Sequence, residues 1–176
     1  MGVLKQWLPY VLSGISAGGQ YALIAVGYTM VYGILRLINF AHGDIFMVAG
    51  LIMVYLSATM PLYAALPAVV ILTVALGFAV ERCAYKPLRQ APRMSVMISA
   101  IGVSYLLQNL AYYVTGGVPK QYPELRWISD TITILGASTK RVTVITPVLT
   151  LVLVVALVIL IKRTKVGMAM RAASRD

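Results

Sequence analysis

The sequence predicts an all-α protein, a polytopic bundle of about five transmembrane helices with a helix break around 36–44, and three observations predict it. Hydrophobic residues supply 60% of the chain and charged residues 11%, far from the roughly 25% charged usage of soluble domains. Residues 6–35, 45–80 and 142–161 carry no charge, and at about 1.5 Å per helical residue each run suffices to cross a hydrocarbon core about 30 Å thick. Lys and Arg fall at the ends of these runs, as the positive-inside rule requires, so the net charge of +10 argues for membrane topology rather than nucleic acid. One cysteine, Cys83, and one histidine, His42, exclude an internal disulfide and a zinc constellation, and no cofactor or metal is expected on this chain.

The first span is placed at 9–35, starting near Pro9 and either tilted or locally broken, because the charge-free run exceeds the thickness of the core. Residues 2–7 carry only Lys5 and no cleavable signal peptide is evident, so this span is expected to act as the insertion signal. Gly14 and Gly18, with Ser13 and Ala17 at the same spacing, form a small-xxx-small pair that lets another helix approach closely. Gln20 and Tyr28 stand about 80° apart on a helix and can share one face. Between Gly33 and Gly50 come Asn39, His42 and Asp44, with Gly43 before the aspartate, in a region whose only other charge is Arg36. A charged group at membrane depth costs about 2.5–3.5 kcal/mol on insertion scales. These polar residues therefore either line a water-filled path or form a surface turn, with Asp44 capping a helix from Ile45 and Gly43 relaxing the backbone.

Pro61 and Pro67 divide the next run into a hairpin of spans 44–60 and 67–84, with 61–66 as the bend, since proline removes a helix donor and crowds the preceding turn. Residues 81–93 read as a basic loop, with Arg82, Lys86, Arg89 and Arg93 against Glu81, and Pro87 and Pro92 as breakers. Span four covers 95–114. On it Ser104 and Gln108 lie one turn apart and share a face, and the amides Gln108 and Asn109 serve either interhelical hydrogen bonds or solute contact. The following loop alternates at Thr131-Ile132-Thr133-Ile134, the pattern of a small hairpin turning near Gly136, and holds Trp127 as a candidate interface anchor. Span five is 142–161, and the tail 162–176 is basic again. With the 81–93 loop inside, ten of the fifteen Lys and Arg residues face the cytoplasm, which puts the tail inside and, with five spans, the N-terminus outside.

Several stretches, taken together, carry a resemblance. They are the run Tyr21-Ala22-Leu23-Ile24-Ala25-Val26-Gly27-Tyr28-Thr29-Met30-Val31-Tyr32-Gly33, the block Ile38-Asn39-Phe40-Ala41-His42-Gly43-Asp44, the segment Glu81 to Arg89, Ile98 to Gly102 with Gln108-Asn109, and Thr164 to Ala172. In this order the chain resembles the inner-membrane permease subunit of branched-chain amino acid ABC transporters, the LivH type. The resemblance implies a permease domain over 1–176 in a bacterial inner membrane, crossing it several times and working by alternating access. It also implies a second permease subunit, two cytoplasmic ATPase subunits and an external solute-binding protein as partners. ATP is then used by the partner, and the chain itself has no Gly-x-x-x-x-Gly-Lys-Ser/Thr loop to hold nucleotide phosphates.

The family's ATPase-docking loop matches 162–176, which carries that role onto Lys165, Gly167, Met168, Arg171 and Ala172. A basic amphipathic tail on the membrane surface is the other reading of the same residues. Permeases of this type continue through further spans, whereas this sequence ends inside the docking loop, so it is expected to hold the N-terminal half. The family divides among branched-chain amino acids, other amino acids, urea and short amides, and the motifs do not choose between them.

The expected function is part of a small-solute path surrounded by membrane lipid, with Asn39, His42 and Asp44 lining it and Gln20, Tyr28, Gln108 and Asn109 in support. One rival is a membrane enzyme using His42 and Asp44 as an acid–base pair. That needs a break at Gly43, because on an unbroken helix the two side chains project about 200° apart. The other rival is an ATP-independent channel or an assembly subunit.

Overall fold

Helix formation follows the apolar runs. In the computed structural model, which describes residues 2–35, 38–88, 90–122, 130–134, 137–165 and 167–168, α1 (Gly2–Leu35) is one continuous helix. The expected start near Pro9 and a local break are not observed. Pro9 gives up a single ladder bond, a loss that membrane helices tolerate. The backbone is non-helical at 38–41, and α2 (His42–Thr59) follows.

The bend into α3 (Leu62–Val80) is Met60 and Pro61 alone, not 61–66. Pro61 caps α3 at φ −65°, where a missing N–H has no intrahelical partner to lose. Pro67 lies inside α3, one turn past the start, and costs only the bond to the Tyr63 carbonyl. The basic stretch after α3 is also helical for most of its length. A wide π-type turn (Glu81–Tyr85), in which the Lys86 N–H donates to the Glu81 carbonyl, leads into a 3-10 turn (Lys86–Leu88). Pro87, with no N–H to give, forces the ladder to change register here. Then α4 (Arg93–Thr115) ends at Gly116 and Gly117, whose φ values of 66° and 70° place them in the left-handed region that glycine enters without a Cβ clash. Strands β1 (Thr131–Ile134) and β2 (Ala137–Lys140) precede α5 (Arg141–Arg163).

Among the described residues four stretches, His42–Thr59, Leu62–Leu88, Arg93–Thr115 and Arg141–Arg163, are long and apolar enough to cross a membrane. The other long helix, α1, is richer in glycine than any of these. The chain divides into two compact units, one holding α2, α3 and α4, the other α1, the strands and α5.

In the α2–α4 unit the buried apolar side chains among the described residues are small or medium, Ala41, Ala65, Val80, Val96, Ala100 and Leu107, whereas Ile71 is 67% and Phe78 66% exposed. An exterior of this kind suits lipid as the solvent. Tyr63 near the start of α3 and Tyr112 and Tyr113 near the end of α4 are exposed. Along each helix the tyrosines stand about 30 Å from Arg82 or Arg93, so aromatic and cationic ends bracket one hydrocarbon thickness.

In the other unit, α1 and α5 pack at Gly19, where an added Cβ would lie 3.2 Å from Thr150 Oγ1. Ser16 and Thr150 are buried there. The expected seam at Gly14 and Gly18 is therefore displaced: a Cβ on either would meet no atom within 4 Å. At 100° per residue Gly19 shares a face with Ser16, while Gly14 points about 140° away from it. The strands pair antiparallel with Thr131 opposite Lys140 and Ile134 opposite Ala137, as the alternation predicts. β2 packs on α1 with Thr139 buried. The Arg141 N–H donates to the Asp130 carbonyl at 3.0 Å, and the guanidinium lies 3.8 Å from the Asp130 carboxylate. Arg36, Arg89, Trp127, Gly136, Arg171 and Ala172 lie outside the described residues.

Candidate functional site

The block 38–44 builds its site from a turn and the first residues of a helix. Asn39 is the turn former: its Oδ1 accepts the Ala41 N–H at 3.1 Å, and its carbonyl accepts the His42 N–H at 3.2 Å. Short amide side chains favour this because they reach their own backbone two residues on. The same Oδ1 accepts the Tyr85 hydroxyl at 2.6 Å, which pins the turn to the π-type turn after α3. Ser99 of α4 donates to the Ala84 carbonyl at 3.1 Å beside it. Asn39 is thus committed to the fold at its side-chain oxygen.

The helix α2 starts at His42, with Ala41 as a cap that makes no side-chain bond. The expected Asp44 cap is not formed, and the reason is placement. Asp44 is the third residue of the helix and turns towards α4, where its carboxylate accepts from the Ser104 hydroxyl and, at 3.0 Å, from Gln108 Nε2. Gln108 Nε2 also donates to Ser104 Oγ at 3.1 Å, closing a triangle over one turn of α4. A carboxylate in the first turn is favoured by the helix dipole as well. Hydrogen bonds to a carboxylate contribute about 1.5–3 kcal/mol in soluble proteins, and interhelical ones in membrane proteins average about 0.6 kcal/mol. Gly43 sits within the helix with no left-handed φ, so His42 and Asp44 diverge by about 200° and do not make an acid–base pair.

Beyond this triangle lies an apolar groove between α2 and α4, about 280 Å³ in volume. Val48, Leu51, Ile52 and Tyr55 line it on one side and Leu107, Leu110 and Val114 on the other. Val48 is one turn from Asp44, and the Tyr55 hydroxyl donates to the Val114 carbonyl at 3.4 Å at the far end. The two helices run in the same direction, so the groove has a carboxylate at one end and a tyrosine at the other. Such a site can receive a small molecule with a cationic head and an aliphatic body.

Of the residues expected to line a path, the structure thus joins Asp44 to Gln108 and leaves His42 two residues earlier, about 200° round the helix. Asn109 faces elsewhere, its Nδ2 donating to the Tyr105 carbonyl of its own helix at 2.7 Å. Gln20, exposed, and Tyr28, half-buried, belong to the unit of α1 and α5. Lys165 and Met168 are exposed and Gly167 is buried. Ser104 and Tyr85 were not singled out for the site by sequence. The signal for Ser104 was present in its i, i+4 spacing with Gln108 on an apolar helix, but spacing does not say which acid that face meets.

The family described as branched-chain amino acid transport system / permease component matches residues 10–176. Among characterised proteins, the chain is 36% identical over 183 residues to the high-affinity branched-chain amino acid transport system permease protein LivH of Salmonella typhimurium, covering 97% of this chain and 59% of that protein. It is 35% identical over 189 residues to the corresponding protein BraD of Pseudomonas aeruginosa, covering 100% of this chain and 62% of BraD. LivH of Escherichia coli is 34% identical, with 97% and 59% covered. The chain spans about three fifths of the length of these relatives. No solved structure matches it.

Proposed function

Because the chain belongs to the branched-chain amino acid transport permease family, we propose that it forms part of the path by which an importer carries branched-chain amino acids across a bacterial inner membrane. It is a transporter subunit without chemistry of its own. Two separate cytoplasmic subunits hydrolyse ATP, an external binding protein delivers the solute, and a second permease subunit completes the path. The tail from 162 docks on the ATPase.

One observation carries the reading: the Asp44 carboxylate, held by two neutral donors, stands at the end of an apolar groove. A zwitterionic amino acid presents an ammonium and a branched aliphatic side chain. Asp44 gives the ammonium an acceptor, and the groove removes the side chain from water at about 25 cal/mol per Å². The bonds from Ser104 and Gln108 cross between helices, and at about 0.6 kcal/mol each they are weak enough for an ammonium to displace and for the triangle to reform behind it. A station of this strength passes a solute on rather than retaining it.

Leucine uptake by vesicles carrying the assembled transporter tests this. Asp44→Ala should abolish uptake while membrane insertion and subunit association persist; unchanged uptake would remove Asp44 from the path. Competition by isoleucine and valine, but not by urea or acetamide, is expected, and the reverse order would overturn the solute class. Uptake that proceeds without ATP would favour a channel instead.

A further inference from the structure

The junction after α5 is built more tightly than a tail requires. Thr164 closes α5 at φ −102° and ψ 158°, its N–H donating to the Leu160 carbonyl at 3.2 Å. Its hydroxyl donates to the same carbonyl at 2.5 Å and accepts the Gly167 N–H at 3.2 Å, and its carbonyl accepts the Met168 N–H at 3.0 Å. One residue therefore ends one helix and caps the next turn, since a side-chain oxygen bonded to the N–H three residues on is the N-cap arrangement. The double role needs a hydroxyl, which gives one proton and offers lone pairs at once.

Gly167 is buried against the end of α5. A Cβ there would overlap the Ile161 carbonyl group and lie 2.6 Å from Ile161 Cα, and backbone atoms cannot rotate out of the way.

We propose that Thr164 and Gly167 are positioning residues that form a fixed corner, setting the direction in which the chain leaves α5 towards the ATPase. The proposal rests on the docking role given above to the segment from 162. It changes the part played by Gly167: what matters is its missing side chain, which lets the chain fold back on Ile161, rather than a contact it makes with the partner. Thr164 then holds the corner by hydrogen bonds, and Lys165 and Met168 are presented outward from it.

Amide hydrogen exchange over 164–168, with uptake per ATP hydrolysed in the assembled transporter, tests the corner through three variants. Thr164→Ser keeps the hydroxyl and should match the parent in both measurements. Thr164→Val, of the same shape without the hydroxyl, should speed exchange at Gly167 and lower uptake per ATP by at least about tenfold, the scale of one hydrogen bond in a rate, with ATP hydrolysis continuing. Gly167→Ala should act alike and also loosen exchange at Thr164. Parental exchange in Thr164→Val and Gly167→Ala would overturn the corner, and faster exchange with undiminished coupling would overturn its positioning role. If no ATPase engages this segment in the unaltered transporter, the docking reading fails, and exchange alone still decides whether the corner exists.

Discussion

The two units hold their helices together by different means. In the α2–α4 unit, polar side chains bridge between elements: Asp44 to Ser104 and Gln108, Asn39 to Tyr85, Ser99 to the Ala84 carbonyl. In the unit of α1 and α5, the described interface depends on close approach at Gly19 and on small hydroxyl residues. Lipid removes most of the hydrophobic drive for helix association and leaves hydrogen bonding and packing as the alternatives. Among the described residues, hydrogen bonds between helices mark the first unit and close packing the second, and the Asp44 carboxylate of the first is a group for which a polar solute can compete. This difference is why the path proposed above runs along α2 and α4 rather than along α1 and α5.

The largest expected effect that breaks this contrast is at Asp44. Asp44→Ala should lower the thermal stability of the purified, detergent-solubilised chain by about 2 kcal/mol, since two bonds of about 0.6 kcal/mol each are lost and their donors stay behind without the carboxylate, whereas Asp44→Asn should recover part of it. Equal melting of all three proteins would mean that the triangle holds nothing together. Next comes Gly19→Leu, which forces bulk against Thr150 and should cost about 1–3 kcal/mol by overpacking. Gly14→Leu, on an open face, should stay within about 0.5 kcal/mol. A reversal of these two in the same melting assay would restore the seam that the spacing alone suggests.

Tyr85→Phe removes the hydroxyl from Asn39 and should cost about 1 kcal/mol. Combined with Asn39→Ala in a double-mutant cycle, it should give less than the sum, because both changes remove one bond. The smallest effect is at Gln108→Ala, about 0.6 kcal/mol, which sharpens the comparison only if Asn109→Ala leaves the Asp44 site unchanged in uptake. A larger uptake defect from Asn109 than from Gln108 would move the path to another face of α4.

The all-α membrane fold, the strand alternation at 131–134 and the shared face of Ser104 and Gln108 were legible in the sequence, whereas of the five expected spans four are long and apolar enough among the described residues. The Pro67 boundary was misread because proline marks a lost bond without saying whether the helix can spare it. One turn from a helix start, it can. At Gly14 and Gly18 the limit is related: a repeat of small residues shows that a face is thin, and among the described residues of this chain no neighbour lies against it.

What the sequence by itself determined is the solvent and the scale: long uncharged runs have nowhere to go but lipid, and their lengths match its thickness. It also determined the family, through the block around Asn39 to Asp44 and the segments after it. Only the tertiary structure decided that Asp44 bridges helices instead of capping one, that Asn39 serves the turn, and that Gly19 carries the close approach. Periodicity fixes which side chains share a face of one helix, while the pairing of faces depends on contacts between residues distant in the chain, and nothing local encodes those.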